Sequence, residues 1–212
     1  MKIVQMLKST AGNSLAEFAV VIALMATLMS TGQVKFSQAG EGGKGKKTGE
    51  ELDKIGKAAN NFYNAMNDEE GAGRFPGQDK WDVNVPGGQK PGIGAGYASL
   101  GAVLDKIDTW TSYTGTQTAT EGPNWVSVFG KELEDFAIDS EHASKIAADD
   151  GGTTGGTNLG TEEIAEYVDP VKSPFLDGHF IYTVVGGDPN TSPAMVITDF
   201  YAPADEFVVV QP

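Results

Sequence analysis

The chain has 212 residues, with 15 basic and 29 acidic side chains, 28 Gly, 10 Pro and no Cys. That length holds one ordinary domain with an extension, and the missing cysteine excludes disulfides, thiolate metal sites and Cys nucleophiles. The two histidines, His142 and His179, exclude a multi-histidine metal centre unless carboxylates complete it.

Met1–Gly12 reads MKIVQMLKSTAG, with Lys2 and Lys8 and no acid, ahead of the apolar run Leu15–Met29, which only Glu17 interrupts. Positive charge before an apolar stretch holds that end in the cytoplasm. A secretory signal places small residues after its apolar run; here Ala11 and Gly12 precede it. Phe18–Val34 carries no formal charge and spans roughly 25 Å as a helix, near the lower limit for crossing a bilayer. Glu17, immediately before it, is costly in a membrane helix, about 2.5–3.5 kcal/mol at a membrane centre, unless it reaches the headgroups or meets a partner.

The order of these features, a short basic leader, Gly12, then Asn13-Ser14-Leu15-Ala16-Glu17-Phe18 and an apolar helix, resembles the class III signal of type IV pilins and pseudopilins. The resemblance implies a prepilin peptidase that cuts between Gly12 and Asn13 and methylates the new amine of Asn13. Glu17, fifth in the mature chain, would pair with the terminal amine of a neighbouring subunit, fixing helix register in an apolar bundle. Ala11 stands where the family usually has a basic residue, and Asn13 where it usually has Phe or Met. The same string also resembles the start of TadE-like pseudopilins and of Flp-type pilins, the latter usually much shorter chains.

Charge then changes sign along the chain. Lys35, Lys44, Lys46, Lys47, Lys54 and Lys57 form a basic neck, whereas residues 58–212 hold 24 acidic against 7 basic side chains. Such a body repels phosphates, so no direct nucleic acid binding is expected. Gly40–Gly49 contains five glycines, each costing a helix about 1 kcal/mol, and is expected to break the helix as a flexible neck. Its likeness to a phosphate-binding loop fails, because Lys47 takes the Ser/Thr place and no strand precedes it.

Thr48-x-x-Glu51 reads as a capping box opening a helix over about residues 49–67, with Leu52, Ile55, Ala59, Phe62 and Met66 on one face. The following Arg74-Phe75-Pro76-Gly77 resembles the turn that leaves the long first helix of pilins and pseudopilins. Pro86–Gly96 reads as loop, and Gly92-Ile93-Gly94-Ala95-Gly96 lacks the strand a dinucleotide site requires. Leu100, Val103, Leu104 and Ile107 predict a short helix; Leu133, Phe136 and Ala137 predict another. Gly115–Gly122 and Asp149–Gly160 read as turn-forming segments. Phe180–Val185, Ala194–Thr198 and Phe207–Val210 predict three antiparallel strands. Trp81, Trp110 and Trp125 are expected in the core, and Asn190-Thr191-Ser192 fits a glycosylation acceptor pattern.

The expected fold class is α+β: an interrupted N-terminal hydrophobic helix and a head with a C-terminal antiparallel sheet. Its parts are a leader (1–12), a membrane and assembly helix (13–37), a Gly/Lys-rich neck (38–48) and an acidic head (49–212). No catalytic residue, cofactor or metal site is assigned. Asp149-Asp150 with Glu162-Glu163 would suit calcium as hard oxygen ligands, but their spacing is not that of an EF-hand and a solvated acidic loop explains them. The expected function is a filament subunit, a homopolymer with copies of itself. Its further partners would be the prepilin peptidase, the pilus assembly platform, other minor pilins and, before assembly, the inner membrane; the filament would end at the cell surface. The alternatives are a type II secretion pseudopilin and an uncleaved membrane-anchored binding domain.

Overall fold

The computed structural model describes residues 42–87, 95–110, 120–129, 159–175 and 180–212. The chain divides into two compact units, Met1–Lys44 and Gly45–Pro212. The elements below belong to the second, apart from the first three residues of the leading helix.

Helix α1 occupies residues 42–70. Its buried side chains, Leu52, Ile55, Ala58, Ala59 and Phe62, recur every three or four residues, as one apolar stripe of a helix requires. Met66, expected on the same stripe, is only half-buried. The expected start near residue 49 is corrected by seven residues, because Gly42, Gly43, Gly45 and Gly49 are helical. The neck is therefore helix from residue 42 onward. Thr48 is no cap; it lies inside the helix, fully buried, and its hydroxyl meets no hydrogen-bond partner among the described residues.

Tertiary packing explains why Gly45, Gly49 and Gly56 stay helical, whereas a Cβ on Gly42 or Gly43 would meet open space. A Cβ on Gly45 would come within 2.9 Å of the Glu206 carboxylate, and one on Gly56 within 3.3 Å of Val208 and 3.4 Å of Val210. Gly45, Gly49 and Gly56 thus form a side-chain-free seam through which the C-terminal strand approaches the helix. The packing of that strand offsets the low helix propensity of glycine, which is a weak prior against tertiary contacts.

Helix α2, Leu100–Ile107, opens with the Ser99 hydroxyl accepting from the Ala102 amide and buries Val103 and Ile107. Strand β1 (Val126–Ser127) follows a turn of 3-10 helix at Gly122–Asn124, and helix α3 covers Leu159–Ala165. Strands β2 (Phe180–Val185), β3 (Ala194–Asp199) and β4 (Phe207–Val210) stand where β-branched and aromatic runs predict them. The sheet is an antiparallel meander in the order β1-β2-β3-β4. Four strands replace the expected three because β1, two residues long, pairs Val126 with Tyr182 and Ser127 with Ile181.

Alternation along the strands sends side chains into two cores. Phe180, Tyr182, Val184, Met195 and Ile197 meet the α1 stripe, together with Phe75 and Ile164. Ile181 and Val196 meet Val103, Ile107, Trp110, Trp125 and Phe200 on the other face. Both faces are covered, and β2 and β3 accordingly read as nearly continuous apolar runs. In the second core Trp110 lies edge-on to Trp125, with centroids 5.7 Å apart. The Trp125 indole N–H donates to the Tyr97 hydroxyl, which donates to Glu121, each at 2.9 Å. Burial, then the bond to Glu121, pushes the Tyr97 phenol well above its ordinary value. The outer strand β4 packs Val208 and Val210 toward α1 and leaves Phe207 and Val209 exposed.

Candidate functional site

Gly12, Asn13 and Glu17, the expected cleavage, methylation and assembly residues, lie outside the described residues, as do the apolar run 15–29, His142, His179, Asp149 and Asp150. The helix expected around Leu133–Ala137 lies outside them too. Among the described residues no helix is long and apolar enough to cross a membrane, and no group of three His, Cys, Asp or Glu is placed to hold a metal.

The turn after α1 is fixed by a charged lock. Arg74 Nη1 donates to Glu163 Oε1 at 2.7 Å, and the Gly77 amide donates to Glu163 Oε2, also at 2.7 Å. Both side chains of this pair are 14% exposed. Arg74 Nε reaches Glu70 at 3.2 Å, Nη1 also donates to the Gln78 carbonyl at 3.1 Å, and the guanidinium stacks 5.1 Å above the Phe62 ring. Gly77 sits at φ +84°, which only glycine adopts without strain. Burial lifts the Glu163 carboxyl above its ordinary value, against the pull of the Gly77 amide and Arg74. Glu163 is therefore not part of a solvated loop: it lies in α3 and ties that helix to the end of α1.

Beside this lock is a groove of about 490 Å³. Tyr63 and Asn67 of α1, Trp81, and Asp188 and Asn190 of the β2–β3 connection line it. Each aromatic is set by a glycine. A Cβ on Gly73 would fall 2.3 Å from the Tyr63 ring, and one on Gly187 would fall 2.7 Å from the Trp81 ring. Tyr63 also contacts Phe75, with centroids 5.2 Å apart. The Gly187 amide donates to the Trp81 carbonyl at 2.8 Å. Asp188 Oδ1 accepts the amides of Asn190 and Thr191 at 2.7 and 3.0 Å, closing the connection into a tight turn. The Asn190 amide, then the Thr191 side chain and amide, hold the Asp188 carboxyl below its ordinary range.

Trp81 corrects an expectation: Trp110 and Trp125 are fully buried, but Trp81 is half-buried on the groove. The groove is not legible in the sequence because its residues come from three separated segments. Its one sequence signal is the pair Asp188-Pro189 and Ser192-Pro193 bracketing Asn190, which marks a rigid turn.

A third buried charge lies at the end of β3. Asp199, fully buried, accepts from the Ser173 hydroxyl in a short contact and from the Tyr201 amide at 2.8 Å. Burial raises its carboxyl above the ordinary aspartate value, and these donors oppose the rise. It caps the 200–206 loop and has no outlet to a cavity described above.

No family model matches the chain, and neither curated proteins nor solved structures yield a match.

Proposed function

We propose that this chain is a structural subunit of a type IV pilus-like filament, assembled through its N-terminal helix after cleavage behind Gly12. One observation carries the reading: the basic leader, the glycine, and an acid five places on inside an otherwise apolar run occur in that order and spacing. Two features of the second unit accord with it. The head is led by a helix of some eight turns, 42–70, and that helix packs its stripe on an antiparallel meander formed by the C-terminal segment. An α+β head led by a long helix suits a subunit held in a polymer by its N-terminal extension.

In this reading Glu17 meets the amine of Asn13 on a neighbouring copy, since an acid among apolar side chains needs a cation or donors. The lysines of α1, exposed at Lys46, Lys47, Lys54 and Lys57, keep the helix start basic beside the acidic head. The subunit acts by assembly and carries no catalysis. The groove favours a second reading, an uncleaved membrane-anchored binding domain.

Mass spectrometry of the native N-terminus separates the two. A mature chain beginning at Asn13 supports the filament subunit, and an intact Met1 on assembled protein overturns it in favour of the anchored domain. Electron microscopy of cell surfaces then distinguishes an external filament from a type II secretion pseudopilus, which shows none outside the cell.

A further inference from the structure

The groove edged by Tyr63 and Trp81 has the chemistry of a sugar site, and we propose that it binds a neutral glycan, a role independent of filament assembly. A pyranose presents an apolar C–H face and a rim of hydroxyls that both donate and accept. Aromatic rings cover the first, since they combine large apolar area with a polar tip; amides and carboxylates satisfy the second with paired donors and acceptors. The groove supplies both sets: Tyr63 and Trp81 for the face, Asn67, Asp188 and Asn190 for the rim.

Three observations narrow the ligand. The volume of about 490 Å³ falls in the range of small-molecule sites, roughly 300–1,000 Å³, and admits one or two sugar rings. Its described lining contains Asp188 and no Lys, Arg or His, on a body where acids outnumber bases 24 to 7 over residues 58–212; sulfated or phosphorylated ligands are therefore repelled. The rings are also set before any ligand arrives. Gly73 and Gly187 leave no room for a side chain beneath them, and the Asp188 turn and the buried Pro193 brace the third wall. Side chains already fixed lose little entropy on binding, which matters most for weak, hydroxyl-rich ligands.

The test uses the full chain in detergent, titrated with lactose, cellotetraose and N-acetylchitotriose and followed by tryptophan fluorescence and saturation-transfer NMR. The expected result is saturable binding of at least one probe with Kd on the order of 1 mM or tighter. Trp81→Ala should weaken it about tenfold, while Trp81→Phe, which keeps an aromatic face, should lose less. Asn67→Ala changes an exposed residue of α1 and should weaken binding severalfold with an unchanged melting curve; it decides the matter if Trp81→Ala fails to fold. No saturation by any of the three probes up to about 20 mM overturns the proposal. So does unchanged affinity in both Trp81→Ala and Asn67→Ala, tighter binding of a heparin tetrasaccharide, or occupation by a proline decapeptide where the sugars fail, since proline-rich peptides also seek aromatic grooves.

Discussion

Removing the Glu163 carboxylate should unfasten the end of α1 at a measurable cost. In Glu163→Ala the Arg74 guanidinium loses its 2.7 Å partner and the Gly77 amide loses its acceptor, while Arg74 keeps Glu70, whose side chain is 46% exposed. Hydrogen bonds to charged groups are worth about 1.5–3 kcal/mol each, and breaking a buried pair from one side costs about 3–5 kcal/mol. With both side chains 14% exposed and Glu70 left as a partial substitute, the expected loss is about 3 kcal/mol. In a chain of this size that lowers Tm by roughly 6–12 °C. Urea titration followed by circular dichroism and by fluorescence of the buried Trp110 and Trp125 gives the free energy. Glu163→Gln, which keeps an acceptor for Gly77, should fall between wild type and Glu163→Ala. The double change Arg74→Ala with Glu163→Ala should cost less than the two singles together, by about 1–3 kcal/mol. Strict additivity, or a single-variant loss below about 0.5 kcal/mol, would refute the lock.

Asp199 supplies a pH test: its carboxyl is raised by burial, so the folded state holds the proton more tightly than the unfolded chain, and the stability it contributes is lost as pH rises through the folded value. Asp199→Asn should flatten the decline above the ordinary aspartate range by up to about 1.4 kcal/mol per pH unit, and parallel curves in urea titrations across pH 3–7 would contradict the assignment. Gly160→Ala would place a Cβ 1.8 Å from the Tyr182 hydroxyl and should cost at least about 2 kcal/mol, read by the same urea titration. Glu17→Leu should leave leader cleavage intact, improve insertion by up to about 3 kcal/mol and sharply lower filament yield counted by electron microscopy; normal filament numbers would make Glu17 a headgroup-level residue.

The parts of the fold that announced themselves did so through local pattern. Phe180–Val185 and Phe207–Val210 carry β-branched runs that few other conformations accommodate, and the spacing of Val103 and Ile107 marks α2. Sequence alone places the beginning of α1 too late because glycine propensity is a property of an isolated helix, while Gly45 and Gly56 sit against residues more than 150 positions away. Strand β1 owes its place to two backbone pairings with β2, which no two-residue sequence can specify. Glu163 reads as solvated charge in the sequence because Arg74, its partner, is 89 residues distant. Trp81 is half-buried where Trp110 and Trp125 are fully buried, and residue type alone does not separate the three.

The glycine seam also bears on synthesis. It joins the first described turns of the chain to Glu206, Val208 and Val210, so a ribosome that has made α1 must add some 140 more residues before the strand that closes over it exists. At about 5–20 residues per second, the seam stays open for roughly 7–28 seconds. A product truncated before Val208 keeps that seam open permanently, even though β2 and β3 already cover Leu52 and Ile55. The meander β2–β4, by contrast, is contiguous in sequence and pairs as soon as it emerges. Quality control therefore has one late event to monitor, the docking of the last strand onto the first helix.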